Sequence, residues 1–545
     1  MKRYLKWTAV ALVIALAFNY SALPAEAGVP ADTFYVDSIS GSDFNSGTSE
    51  GEAWATLQKA AARVYAPGER LLLRSGDVFV GGITLQGCGT PQAPILLASY
   101  GEGPKPLITS SAAVDLIRMF DISYWTLDGI ELTAPGGGGI WIDTLTAQSD
   151  GITLRNLTFH DMQNYTAASR DNLSAGAAGA RAGIMVKGLP ARSRFAVNGL
   201  TVSGCEFFDC GNGISLWGSW NDEQNPWCEL ESDIDPVYNE GILVEDCSFT
   251  GLDAEAVVVG ICDGAVVRNC SAINCCQGGA EKRTFCTAAM WFWGSENSVF
   301  ENCEIAGQKN FGDGMAVDFD SRSNHCTYQY IYSHDNTKFM TNCPTYSGQH
   351  GNMVRYCLSV NDNRGVNKGG GNSGEQGLKF YNNTIVNAQS FNLGEIKDAV
   401  IVNNIFVLIS GHTVNCSGGY EMLGNNCYYN CPKPLRDIGS IYANPQFAGK
   451  DETDKNSFVL KSCSPCIDAG AQAEQDMGGR DLYGNAAGET HNIGCYEGDG
   501  AAGEFDRETA GEALARIANF IRGWTSIELV RILRWLLEQF DRFWA

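Results

Sequence analysis

Positive charge is scarce in this chain. Its 545 residues hold 38 Lys and Arg against 62 Asp and Glu, a formal net charge of −24. That balance excludes nucleic acid and anionic membrane as partners. It also disfavours a polyanionic sugar unless a cation such as Ca²⁺ bridges the two. Long apolar runs are absent beyond the first residues. There, Lys2, Arg3 and Lys6 precede an apolar stretch from Trp7 to Phe18, and Ala25-Glu26-Ala27 gives a small-x-small cleavage pattern. The stretch is too short for a permanent membrane span, and no Cys follows it to take a lipid. Residues 1–27 are therefore expected to be a signal peptide, and the protein to be secreted. Paired zinc-finger cysteines are absent too: Cys463-x-x-Cys466 stands alone, which fits a local disulfide or two thiols better than a metal site.

What the chain does have is a repeat. The pattern apolar, x, apolar, x, Asn-like, Cys-like, x, apolar occurs as "ITLRNLTF" at 152, "LTVSGCEF" at 200, "ILVEDCSF" at 242, "AVVRNCSA" at 265 and "SVFENCEI" at 298. It continues as "CTYQYIYS" at 326, "NMVRYCLS" at 352, "LKFYNNTI" at 378 and "VIVNNIFV" at 400. The sixth positions are Leu157, Cys205, Cys247, Cys270, Cys303, Ile331, Cys357, Asn383 and Ile405. Each unit is a short strand of period two with too little apolar surface to fold alone, so successive units must stack. Equivalent residues then lie one strand spacing apart, about 4.8 Å. Asn can bond its neighbours along such a stack, and Cys can fill its interior as a small apolar side chain. Many of the 20 cysteines are thus expected to be packing rather than disulfides.

A second strand follows in several coils: "GISLWG" at 213, "AVVVG" at 256, "AAMWFWG" at 288 and "GMAVDFD" at 314. The alternation predicts Ile214, Leu216, Val258, Met290, Phe292, Met315, Val317 and Phe319 inward. It then predicts an exposed outer row of Trp217, Val257, Val259, Trp291 and Trp293 that runs into Asp318 and Asp320. A slip of one residue would invert any of these strands.

The chain ends differ. "AWATLQKAAARVY" from Ala53 predicts a short amphipathic helix that closes the first coil. "FYVDSISGSDFNSGTSEGEAWATLQKA" before and across it resembles the opening of secreted right-handed β-helix proteins of the pectate-lyase-like superfamily. "ANPQFAGKDETDKNSFVLKSCSPCIDAGA" at 443, with "GGRDLYGN" and "HNIGCYE", resembles how such chains close, and "YQYIYSHDN" at 328 resembles one of their coils. The resemblance covers roughly residues 32–497 and implies an all-β, right-handed parallel β-helix. The expected organisation is a signal peptide (1–27), an N-terminal cap and first coils (28–110), the β-helix (111–447), a closing segment (448–498) and a helical tail (499–545). In the tail, Thr525 to Glu528 form a capping box, and Leu529, Ile532, Leu533, Leu536, Leu537 and Phe540 recur at helical spacing. An α-helical hairpin with its bend near Gly523 is expected, packed on the solenoid or contacting a protein partner or the cell surface.

Asp318 and Asp320, two apart on one strand, leave the same face, with Cα atoms about 6.8 Å apart. Asp313 lies at the preceding turn. Paired carboxyls give an acid beside an ionised partner, and flat indoles match the C–H faces of sugar rings. This predicts a glycoside hydrolase. Asp318 or Asp320 is the nucleophile or water-activating base, and the other, or Asp313, is the general acid. His334 and Asp335 orient the substrate or tune the acid, and Trp217, Trp291 and Trp293 stack sugars. The resemblance allows this, since β-helix glycosidases of the lacto-N-biosidase and α-fucosidase kinds use Asp pairs on the helix surface. The adjacent Asp-Asp with Gly-His-Gly of polygalacturonases is not evident.

No cofactor is required by this reading. A second reading is a polysaccharide lyase in which the acids hold Ca²⁺ and Lys338, Lys368 or Arg364 removes a proton. A third is a glycan-binding adhesin without turnover. The partner in each case is an oligo- or polysaccharide. Asp37, Asp43 and Asn45 form either a structural cation site or a turn cluster.

Overall fold

The nine repeats each become a strand, a corner and a second strand. In the computed structural model, which describes residues 32–162, 182–187, 195–219, 236–277, 288–309, 314–342, 349–368, 376–434, 436–474 and 477–504, the first repeat gives strands Thr153–Arg155 and Thr158–Met162. The fifth position is the corner, and it takes a left-handed backbone. Asn156, Asp246, Asn269 and Asn302 have φ of 54°, 55°, 55° and 54°. Asn and Asp tolerate this region better than other side chains. The sixth position points inward: Leu157, Cys205, Cys247, Cys270, Cys303, Ile331 and Cys357 are all buried. Each thiol finds a carbonyl two residues back, at 3.2 Å for Cys247 and Cys270. Sixteen of the described cysteines are free thiols, Cys463 and Cys466 included.

The repeat reading slips once. Asn383 stacks on Asn404, whose Oδ1 accepts its backbone N–H at 3.0 Å, so Ile405 lies one position further on and pairs with Thr384.

Each coil contributes a strand to three parallel ladders. One comprises Gly138–Asp143, Ala182–Val186, Asn212–Trp217, Val257–Gly260, Ala288–Trp293, Met315–Phe319, Lys338–Asn342 and Val366–Lys368. The repeat's first strands form the second ladder, and its second strands form a separate 14-stranded sheet. The long strands Phe391–Val402 and Val414–Gly424 join the first two ladders into one 24-stranded sheet. The architecture is an all-β parallel β-helix with one continuous apolar interior.

Side-chain size is matched across that interior. Phe159, Phe207 and Phe249 stack on one ladder, with centroids 4.6 and 4.8 Å apart. Facing them are Gly139, Gly183 and Gly213, where a Cβ would lie 2.6–2.7 Å from the rings. The stack continues as Ala272 and Ile305, and there the facing positions become Ala256 and Ala289.

The one α-helix among the described residues is Leu57–Ala61, capped by the Thr56 side chain accepting from the Lys59 N–H at 3.1 Å. It is five residues long, shorter than the run from Ala53 predicts. Asp43 accounts for the shortfall: its carboxylate accepts the Ala55 and Thr56 N–H groups and the Thr56 hydroxyl. Asp37 accepts from the Ile39 and Ser40 N–H groups and from Arg74. Both acids thus serve turns. The expected signal peptide and the expected C-terminal hairpin lie outside the described residues. Before that tail, the chain returns over the coils: the Tyr330 hydroxyl donates to Gly478 O at 2.8 Å, and the Tyr356 hydroxyl to Glu497 at 2.9 Å.

Candidate active site

The outer face of the first ladder is set by strand alternation. Met290, Phe292, Val317 and Phe319 belong to the interior, so Trp291, Trp293, Asp318 and Asp320 face out. Register then places unlike residues side by side. Trp141, Met185, Ser215, Val258, Trp291, Asp318 and Thr341 form one row across seven strands. Trp217 and Trp293 share the next row through Gly260, and the same 27-residue step that pairs Trp291 with Asp318 sets Asp320 beside Trp293. The alternation thus brings the predicted acids and indoles together.

Three details differ from expectation. Met315, expected inward, lies in the outer cluster, and Ala316 takes the interior position. The strand Val257–Gly260 has the opposite phase: Val257 and Val259 enter the interior and Val258 faces out, packed with Met315 in the outer cluster. Three apolar residues in succession carry no alternation, so nothing in the strand fixes its phase. The indoles are also not exposed. Trp217 is 0%, Trp291 8% and Trp293 3% accessible, because they pack on one another and on Met185, Val258 and Ile261. Trp217 meets Trp291 and Trp293 edge-on, at centroid distances of 6.2 and 5.7 Å. They make a second, external apolar cluster, where open stacking platforms were expected.

The acids also differ from one another. Asp318 is buried, and its peptide is pinned from below: the core Tyr328 hydroxyl donates to Asp318 O at 2.6 Å. Asp320, at the strand end, is half-buried, and its Oδ1 accepts the Ser321 N–H at 2.7 Å. Asp313 lies outside the described residues. Lys338 is buried at the start of the next strand, level with Met315. The backbone of Lys368 continues the same ladder beside Asn342. Arg364 is exposed in the turn before it.

His334 and Asp335 do not join this site. They sit on the third ladder and its following corner. That is the opposite edge of the face from Asp320, a strand length of about 15 Å away. His334 Nδ1 contacts Asp335 at 2.9 Å and Nε2 contacts Glu304 at 3.3 Å. Burial lowers the affinity of His334 for its proton, but the two carboxylates together raise it above the ordinary value. An equivalent trio recurs earlier on the same ladder: His160 meets Asp161 at 2.8 Å and Glu131 at 2.9 Å. Asp161 and Asp335 both occupy left-handed corners. A device that repeats away from the acids is a cross-strand and corner contact, and "HD" reads the same in sequence whichever role it has.

Two titratable groups escaped the sequence reading. Glu255 is 6% exposed and lies in the outer row of Ala182, Asn212, Ala288 and Met315, two residues before paired Val257. Burial pushes its carboxyl up to about 7, and its Oε2 has no hydrogen-bond partner among the described residues. Lys187, fully buried, donates to Ser219 Oγ at 2.6 Å and to Phe195 O. Burial brings it down to about 8, opposed by Asp143. The lone signal for either was a charge next to an apolar run. Among the described residues no group of three His, Cys, Asp or Glu side chains converges as a metal site.

No family model matches the chain. It is 23% identical over 512 residues to a lacto-N-biosidase of Bifidobacterium longum subsp. longum, covering 75% of this chain and 31% of that protein. The chain therefore spans under a third of that relative's length. A solved GH136 lacto-N-biosidase from Eubacterium ramulus superposes with a TM-score of 0.50 at 18% identity, over 72% of this chain and 68% of that one. The structure of XylC with xylose superposes with a TM-score of 0.51 at 11% identity, over 85% and 98%. These likenesses show the parallel β-helix fold.

Proposed function

We propose that the protein is an exported glycoside hydrolase acting on an oligo- or polysaccharide. The observation that carries this is the register of the outer face, which sets Asp318 beside Trp291 with Asp320 two residues on. Similarity to a lacto-N-biosidase supports the same reaction class. Asp320, the more accessible acid, is the nucleophile or water-activating base. The general acid is Asp318 or Asp313. Asp318 is the more deeply buried of the pair, and Asp313 stands two residues before the strand in sequence. Lys338 and Lys368 border the same ladder as substrate contacts. No cofactor takes part in the scheme. The C-terminal helices are a separate means of attachment to the cell surface or a protein.

Asp320→Asn should lower turnover of a neutral oligosaccharide by about 10²–10⁴-fold with an unchanged melting temperature. Asp318→Asn and Asp313→Asn, assayed alongside, identify the acid as the one whose loss is offset by substrates with good leaving groups. Full activity in all three variants would refute the assignment. A lyase would instead lose activity to a chelator and yield an ultraviolet-absorbing unsaturated product; an adhesin would retain glycan and release nothing.

A further inference from the structure

Buried polar atoms in folded proteins almost always find a hydrogen-bond partner. Several on this face have none among the described residues. Trp291 Nε1 and Thr341 Oγ1 have none, and they flank Asp318 on the neighbouring strands of one row. Glu255 Oε2, in the adjacent outer row one strand before Trp291, has none either. Nor do the indole nitrogens of Trp141 and Trp217. Thr341 is 3% and Trp291 8% exposed. Leaving such a group unpaired is costly. Five such atoms lie on one outer face, two of them on the strands beside that of the candidate acids, with no partner among the described residues.

We infer that Trp291, Thr341 and Glu255 are specificity-determining binding groups whose partners are hydroxyl or amide groups of an uncharged oligosaccharide. The inference rests on the glycosidase reading and adds the substrate's charge class and the residues that read it. Trp291 supplies an N–H donor, Thr341 a hydroxyl that donates or accepts, and Glu255 a carboxyl. The Cα atoms of Trp291 and Thr341 lie two strand spacings apart, about 10 Å, room for about two sugar residues. The surroundings are apolar, with Met185, Val258 and Met315 in the same external cluster. A uronate carboxylate brought there would lose its hydration beside Asp318 and Asp320, and Lys338, the cation that continues the Glu255 row through Ala288 and Met315, is one positive charge against those two.

Thr341→Val removes one polar atom and preserves shape, whereas Trp291→Phe also removes part of a packed ring and is read on affinity alone. A group kept for the fold and a group kept for a ligand respond oppositely. For a ligand group, Thr341→Val should raise the melting temperature by about 1–2 °C, and both variants should weaken sugar binding by roughly 3–10-fold. Binding is read by tryptophan fluorescence on the full chain with neutral oligosaccharides of glucose, galactose and N-acetylglucosamine, and with polygalacturonate as the anionic arm. This readout does not depend on turnover. If the sugars bind but are not cleaved, the glycosidase reading fails and the binding groups stand. If both variants bind as tightly as the parent, if Thr341→Val loses stability without losing affinity, if polygalacturonate is the tighter ligand, or if none binds, the inference is overturned.

Discussion

At position 255 a carboxyl sits where a small apolar side chain would pack better. Its row neighbours are Ala182, Asn212, Ala288 and Met315, and burial raises its pKa to about 7. In the unfolded chain the same group titrates near the ordinary value of 4.5. The folded state therefore holds the proton more tightly. Its stabilising effect is complete below about pH 4.5 and is lost as pH rises toward 7, by up to about 3 kcal/mol. Glu255→Gln, which keeps the neutral shape, should flatten this part of the stability–pH curve. Chemical denaturation of the two proteins at pH 5 and pH 8 measures it; equal pH slopes would place the Glu255 carboxyl in contact with solvent.

Single strands in this molecule are shaped by what faces them across the interior. Gly183 and Gly213 open their strands because Phe207 and Phe249 occupy the space their Cβ atoms would take. Overpacking of this kind typically costs 1–3 kcal/mol, so Gly183→Ala should lower stability by about that amount. Adding Phe207→Leu should recover part of it, since the ring is the nearest obstacle there. A urea titration of single and double variants tests the coupling; an additive result would mean that the two sites do not meet. The Gly and Ala residues opening these strands were visible in sequence. Their alternation with the Phe stack was not, because the partners are tens of residues apart in different coils.

Across the whole molecule the interior is lined with thiols, not closed by them. Cys205, Cys247, Cys270 and Cys303 stack as buried free thiols, whereas Cys88 and Cys463 are exposed. Brief alkylation of the native protein should therefore mark Cys88 and Cys463 among the described cysteines. The stacked thiols should react after unfolding, without prior reduction. Peptide mass mapping reads both steps, and labelling of Cys247 or Cys270 in the native state would contradict the stack.

How much was legible follows from where each constraint originates. The period-two strands, the Asn-like corners and the small sixth position were written locally, so the sequence alone determined a stacked parallel solenoid and the shared face of Asp318 and Asp320. The apolar run of Val257, Val258 and Val259 carried no phase, and the tertiary structure supplied it from the strands on either side. Only the tertiary structure decided that the indoles are packed away, that His334 belongs to a corner repeated at His160, and that Glu255 and Thr341 share a face with the acids. The physical reason is register. Residues that meet across coils are separated by unequal lengths of chain, and the loops that set those lengths bear no local signature of which rung their ends will join.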